Sequence, residues 1–217
     1  MSLSTTSSTG RPNKRRELGE KSRGEILDAA LAAMSTYGYE GATVAKIASE
    51  SGLPASSIYW HFGSKAGVLA AVMDRGASEF FAEYDQLFAQ EAPATDPRAT
   101  LEAAFVASQR AVVNHPEFLR LMILLGLSGQ HGEKVAAVVR ETSQRGHDSL
   151  HALIVSAFRG FGPDASRRVA DALVDVAQAY FDGAFLTTQL RGDKLRADLP
   201  ARLAETIYRL GLPIAEA

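Results

Sequence analysis

From residue 26 onward the chain repeats apolar side chains at helical spacing: Ile26, Leu27, Ala30, Ala33, Met34 and Tyr37 recur at intervals of three and four, and Gly38 and Gly41 end the pattern. A second, short helix is predicted from Thr43, whose hydroxyl can cap its first turn, to a stop at Gly52. Pro54, tolerated in a first helical turn, opens a third that runs to about Phe62, and Ser64 can cap a long fourth from Lys65 to about Glu91. After the loop chemistry of "APATDP" at 92–97, helical patterns follow at about 98–114, 117–126, 133–160, 164–191 and 200–211. They are separated by "HP", "GLSGQHG", "GFGP" and "GDKLRADLP". No period-two alternation is sustained, and the one hairpin-type pair, "DG" at 182–183, sits inside a helical pattern. The pattern predicts an all-α chain in which short helices precede a larger helical body.

The segment "VAKIASESGLPASSIYWH", 44–61, has the makings of a helix-turn-helix. Two helices crossing at a wide angle need a small residue where they meet, here Ala48, and a glycine at the turn, here Gly52. They also need inward apolar residues, which Val44, Ile47, Leu53 and Ile58 supply. In DNA-binding versions the second helix enters the major groove with its N-terminal residues against base edges. Those residues are Ala55, Ser56 and Ser57, small or hydroxylic, so that close approach and hydrogen bonding are both open to them.

Charge sharpens this picture locally. The whole chain, 217 residues with 46% hydrophobic, is long and apolar enough to bury a core, and its net charge is only -2. Yet 11–23 holds six bases against two acids. Residues 1–22 are therefore expected to form a flexible basic arm, followed by a DNA-binding domain at 23–68 and a regulatory and dimerisation domain at 69–217. Without cysteine there is no disulfide framework or thiolate metal site, and no apolar run approaches the length of a membrane span. The opening residues "MSLSTTSSTG" lack the apolar stretch of a secretion signal, so a cytoplasmic protein is expected, with no membrane partner.

At the end of the helix-turn-helix stands "YWHFGSK", 59–65. Four consecutive residues cannot share one helix face, so at least two of Tyr59, Trp60, His61 and Phe62 must point outward. This string resembles the signature of the TetR family of transcriptional regulators, with the resemblance running from 23 to about 70. The resemblance implies a homodimer that binds a palindromic operator in double-stranded DNA. It implies that Tyr59 and His61 reach phosphate oxygens, Trp60 lies against the sugar-phosphate backbone or a thymine methyl, and Phe62 turns inward. Lys65 and Thr43 would add backbone contacts, and Lys46 a base-edge or phosphate contact. Ala55 stands where a longer polar reader is common, and Ala66 where an acid often follows the lysine. With fewer long readers, Arg15 and Arg16 in the basic arm are expected to enter the minor groove.

The eighth helical pattern carries two apolar stripes. One is Ala170, Leu173, Val174, Ala177, Phe181, Ala184 and Phe185; the other, at alternating three and four, is Val169, Ala172, Val176, Ala179, Gly183, Leu186 and Leu190. A helix on the surface of a monomer needs one stripe only. By the resemblance, the second stripe pairs with its copy across a two-fold axis together with Leu203, Ile207, Tyr208 and Leu210 of the last helix. The fourth helix could act as a lever between the two parts. Candidates to line a small-molecule site are Phe81, Tyr84 and Phe88 from the fourth helix and Phe105, Gln109, Phe118 and Met122 from the next two. Thr142, Arg145, Phe158 and Tyr180 complete the set. Such walls suit an apolar or aromatic effector, while a regulator without any effector is the alternative.

One string points elsewhere. "HDSLH", 147–151, spaces His147 and His151 as in a zinc-hydrolase helix, but Asp148 replaces the glutamate and no further histidine follows to complete the site. No catalytic residue, metal or cofactor is expected.

Overall fold

A computed structural model describes residues 11–90, 96–128, 132–192 and 194–217, with side chains described throughout except at 11–13, 87–90 and 134. Among the described residues all regular structure is helical: α1 (Arg11–Gly41), α2 (Val44–Ser51), α3 (Ala55–Phe62), α4 (Lys65–Gln90), α5 (Pro97–Asn114), α6 (Pro116–Ser128), α7 (Glu133–Phe158), α8 (Pro163–Arg191) and α9 (Leu199–Glu216). A short 3₁₀ turn at Arg159–Phe161 closes α7. The loop expected at 92–97 and the Phe88 side chain lie largely outside the described residues.

Two elements differ in extent from their sequence patterns. Helix α9 runs through Pro213 to Glu216 rather than stopping near 211. Helix α1 begins at Arg11, so the described part of the expected flexible arm is helical. Ion pairs one helical turn apart, Arg16 to Glu20 at 3.0 Å and Lys21 to Glu25 at 3.8 Å, support that turn of helix. Each adds only about 0.2–0.5 kcal/mol, but they line the same segment. Toward its other end α1 kinks at Gly38 (φ 69°, ψ 172°).

The chain divides into two units. Of the described residues, 11–75, 120–128 and 132–136 form the first. In it α1, α2 and α3 touch one another pairwise, and their inward side chains Ile26, Leu27, Ala30, Met34, Ile47 and Ile58 are fully buried. The unit continues past residue 68 because Val68, Leu69, Val72 and Met73 on the first turns of α4 are buried too, and α6 contributes Leu121 and Leu125. At the corner between α3 and α4 the backbones nearly touch: a Cβ on Gly67 would lie 2.0 Å from the Phe62 carbonyl oxygen. Only glycine fits there, while Gly63, at φ 72° with its amide donating to the Tyr59 carbonyl, ends α3.

The second unit comprises 76–90, 96–119, 137–192 and 194–217. Helix α9 packs on α5 and α8 around Leu101, Phe105, Ile154, Phe158, Val169, Ala177, Leu203 and Ile207. An Arg98 to Glu205 ion pair at 2.9 Å and a Gln109 side-chain amide donating to the Arg196 carbonyl at 3.0 Å tie the rim of this packing. The two stripes expected on α8 separate except at Val169, which is fully buried with the core. Ala170, Leu173, Val174, Ala177, Phe181 and Phe185 face the core, while Ala172, Val176, Ala179, Gly183, Leu186 and Leu190 face outward.

Candidate nucleic-acid interface

Three local devices set the geometry of the helix-turn-helix. The Thr43 hydroxyl accepts a hydrogen bond from the Lys46 amide at 3.2 Å, which starts α2. Gly52 then takes φ 69° in the left-handed region, a conformation that costs glycine least, and the chain turns within Gly52–Leu53–Pro54 into α3. At the far end the Ser64 hydroxyl accepts from the Gly67 amide at 3.1 Å and starts α4. Buried Ile47 and Ile58 fasten α2 and α3 inward, and that choice of inner face dictates the outer one.

The outer face of α3 carries Ser56, Tyr59 and Trp60 at spacings of three and four, with Ala55 and Ser57 half-buried beside them. Tyr59 is 53% exposed and Trp60 77%, so two large amphipathic rings stand in water on one stripe of a short helix. Both carry a hydrogen-bonding tip, and neither contributes to the buried core. His61 and Phe62 are half-buried and turn toward α1. The His61 Nε2 lies 2.8 Å from the Ser22 hydroxyl, the indole of Trp60 meets the imidazole edge-on at 4.5 Å, and the Arg23 guanidinium sits 5.4 Å over the Phe62 ring. Burial, with the charge of Arg23 as a second cause, holds the His61 pKa below its ordinary value.

The structure places the lysines differently from their expected roles. The Lys65 ammonium donates to the Tyr39 carbonyl at 2.8 Å and to that of Glu40 at 3.5 Å, and lies 4.1 Å from the Tyr39 ring centre. It thus satisfies carbonyls at the end of α1, which a helix leaves without partners, instead of standing free for a phosphate. Lys46 rests 3.2 Å over the ring of Tyr37. Burial and the neighbouring Glu40 carboxylate raise the Tyr39 phenol pKa, which keeps that ring a neutral partner. Arg15 and Arg16 are exposed, and they stand on the helical start of α1 rather than on the expected flexible arm. Ser22, Arg23, Tyr37 and Tyr39 were missed by the sequence reading. The two tyrosines flanking Gly38 were the available signal.

In the second unit, Phe105, Phe118 and Phe158 are among the most deeply buried side chains. They serve the core, and Phe105 meets Phe181 edge-on at 5.7 Å. Phe81, Tyr84 and Thr142 are buried as well, Tyr180 is half-buried, and the Arg145 guanidinium stacks 4.2 Å over Phe81. Burial raises the Tyr84 pKa, so its phenol stays neutral throughout the physiological range. Met122 belongs to the first unit, whereas the other described candidates belong to the second. Of the expected dimer residues, Val176 (42%), Leu186 (43%) and Leu190 (78%) expose large apolar surface beside exposed Ala179 and Gly183, and Tyr208 is half-buried. Ile207 corrects the expectation: it is fully buried against α5 and α8, as are Leu203 and Val169, and is out of reach of a second subunit.

His147 and His151 each face a carboxylate of α8: His147 Nε2 lies 3.5 Å from Asp175 and His151 Nε2 2.8 Å from Asp171. Among the described residues no group of three or more histidine, aspartate or glutamate side chains is placed to hold a metal ion.

Residues 26–72 match the family profile described as bacterial regulatory proteins, tetR family. The chain is similar to the HTH-type transcriptional repressor KstR2 of Rhodococcus jostii, 32% identical over 90 residues, which are 42% of this chain and 43% of that protein. That match spans less than half the length of the relative. With the HTH-type transcriptional regulator BetI of Burkholderia mallei the likeness is longer, 25% identity over 84% of this chain and 89% of that protein. A Saccharomonospora viridis regulator solved in complex with choline has the same fold, with a TM-score of 0.70 at 18% identity over 88% of this chain and 96% of that one.

Proposed function

Because its N-terminal domain places this chain in the TetR family of bacterial transcriptional regulators, we propose that it acts as a homodimeric repressor that binds a palindromic operator and is released by a small, largely apolar ligand. The observation that carries the reading is the outer stripe of α3, where Tyr59 and Trp60 stand exposed beside Ser56 on a helix anchored by Ile58. Ser56, Ser57 and Ala55 read base edges at close range, Tyr59 hydrogen-bonds a phosphate oxygen, and Trp60 covers the sugar-phosphate backbone. Thr43 and the amides after it add a backbone contact at the start of α2. Lys14, Arg15 and Arg16, carried on the α1 extension, strengthen binding through charge rather than sequence reading.

The outward stripe of α8 supports dimerisation. Val176, Leu186 and Leu190 give the apolar surface, and a side chain on Gly183 would meet nothing in its own subunit, so a partner backbone can approach there. Two recognition helices related by a two-fold axis fit half-sites about 34 Å apart.

For the effector, Phe81, Tyr84, Thr142, Arg145 and Tyr180 are the residues we assign, since Phe105, Phe118 and Phe158 fill the core. The choline complex of the Saccharomonospora viridis protein supports a small organic ligand for the fold, and aromatic walls accommodate apolar groups and quaternary ammonium alike. Release follows if the ligand prefers a dimer state whose recognition helices do not match the groove spacing; a preference of about 1.4 kcal/mol already shifts the ratio of states tenfold. Footprinting on the intergenic DNA beside its own gene tests the proposal. Two protected half-sites related by a dyad, lost on adding an apolar effector, are expected, whereas a single asymmetric half-site would overturn the dimer reading.

A further inference from the structure

The contact between Ser22 and His61 bears on the protonation of the ring as well as on its position. The Ser22 hydroxyl has one proton, and it donates that proton to the Gly19 carbonyl at 3.0 Å. With its proton on that carbonyl, the same oxygen is left to accept from His61 Nε2, 2.8 Å away, an arrangement that puts the hydrogen on that ring nitrogen. In neutral His61 the other nitrogen, Nδ1, is then a lone pair. A phosphate oxygen is also an acceptor, and the two can meet only if Nδ1 gains a proton.

We propose that Ser22 is a positioning residue of the DNA interface, holding His61 as the Nε2–H tautomer so that its contact with a DNA phosphate takes up one proton. The inference rests on the reading that the α3 end faces the phosphate backbone. The surroundings of the ring agree with it. Arg23 on α1 is the cation that faces it, Trp60 and Phe62 flank it on α3, and Lys65 at the start of α4 is directed at the Tyr39 carbonyl. Among the described residues no carboxylate pairs with His61, so the C-terminal end of α3 is opposed by burial and by Arg23 without an ion pair to hold the imidazolium. Burial and Arg23 both lower its pKa, and the ring is neutral at neutral pH.

The sign follows. A phosphate beside the ring raises the His61 pKa in the complex above its depressed value in the free protein. Between those two values the complex holds one proton more, so affinity rises as pH falls, by at most tenfold per pH unit for a single proton. Above both values the dependence vanishes. Ser22 serves the same end by geometry: without it the imidazole can rotate and exchange tautomers, and Nδ1 loses its defined direction.

Two measurements test this. Nitrogen-15 NMR of the His61 ring in free protein is expected to show the Nε2–H tautomer, a mixture in Ser22→Ala, and recovery in Ser22→Thr. Binding to a short duplex of arbitrary sequence at low salt is expected to tighten several-fold from about pH 8 to about pH 6 in the wild type, and to lose that gain in His61→Gln. An Nδ1–H tautomer, a ring already charged at neutral pH, or a pH gain retained by His61→Gln would overturn the inference. Tyr59→Ala separates the underlying reading. If it binds more weakly while keeping the pH gain, the DNA face stands; if it binds as the wild type, that face is misassigned irrespective of His61.

Discussion

Leu190 stands on the outward stripe of α8 with 78% of its surface exposed, more than Val176 or Leu186 of the same stripe. If this stripe closes a dimer, Leu190→Ala removes three carbons per subunit from a contact that each subunit makes once. At about 0.8 kcal/mol per buried methylene, scaled by the exposed fraction and counted for both subunits, the loss is about 4 kcal/mol at full burial and about 2 at half burial. The dimer dissociation constant should rise roughly thirty- to thousandfold, while the fold of each subunit is untouched because the side chain is not part of the core. Sedimentation equilibrium over a concentration series reads that constant, and thermal melting of the monomeric form serves as the control. Ile207→Ala provides the contrast: it creates a cavity in the core, at about 2–5 kcal/mol, and should lower the melting temperature rather than act on the dimer surface directly. A Leu190→Ala protein that dimerises like the wild type would refute the assignment of this stripe.

Three other substitutions address the DNA-binding unit and the base of α9. Gly67→Ala forces its Cβ against the Phe62 carbonyl oxygen, 2.0 Å away, and should destabilise the first unit by about 1–3 kcal/mol while shifting the end of α3; denaturant unfolding and DNA binding should both suffer. Lys65→Ala should cost stability, about 1 kcal/mol, because it strips hydrogen bonds from the α1 end, and should leave the salt slope of DNA binding nearly unchanged; a slope smaller by about one would restore Lys65 as a phosphate contact. Asp198, held down to about 2 by hydrogen bonds from Arg196 and Arg202, stabilises the fold above its unfolded pKa and loses that effect as pH falls toward about 2. Asp198→Asn should therefore flatten the acid limb of a stability profile, and an unchanged limb would show the arginines to be without effect.

Much of the fold was legible because its punctuation is local. Thr43, Gly52, Pro54 and Ser64 mark helix ends by their own backbone chemistry, and the structure puts helix boundaries at each. The two faces of α8 were legible for a related reason, since a period of three and four separates buried Leu173 and Phe181 from exposed Val176 and Leu190 within one helix. What the pattern could not show was where long side chains end. Lys46 and Lys65 read as free cations in sequence, yet the kink at Gly38 brings Tyr37 and Tyr39 within reach of them. Ile207 shares helical spacing with exposed Leu210, and only the packing of α9 on α5 and α8 decides which of the two is buried. The Ser22 contact joins residues 39 apart and leaves no trace in either local pattern.

The central claim is that the exposed aromatic stripe of α3 meets DNA. The most direct measurement is binding of the purified protein to the intergenic DNA beside its own gene across a salt series, with Tyr59→Ala and Trp60→Ala compared at each step. The account predicts tight, salt-steep binding that both variants weaken without any change in melting temperature, since neither ring contributes to the buried core. Variants that fold like the wild type and bind the same DNA with the same affinity and salt slope would contradict it.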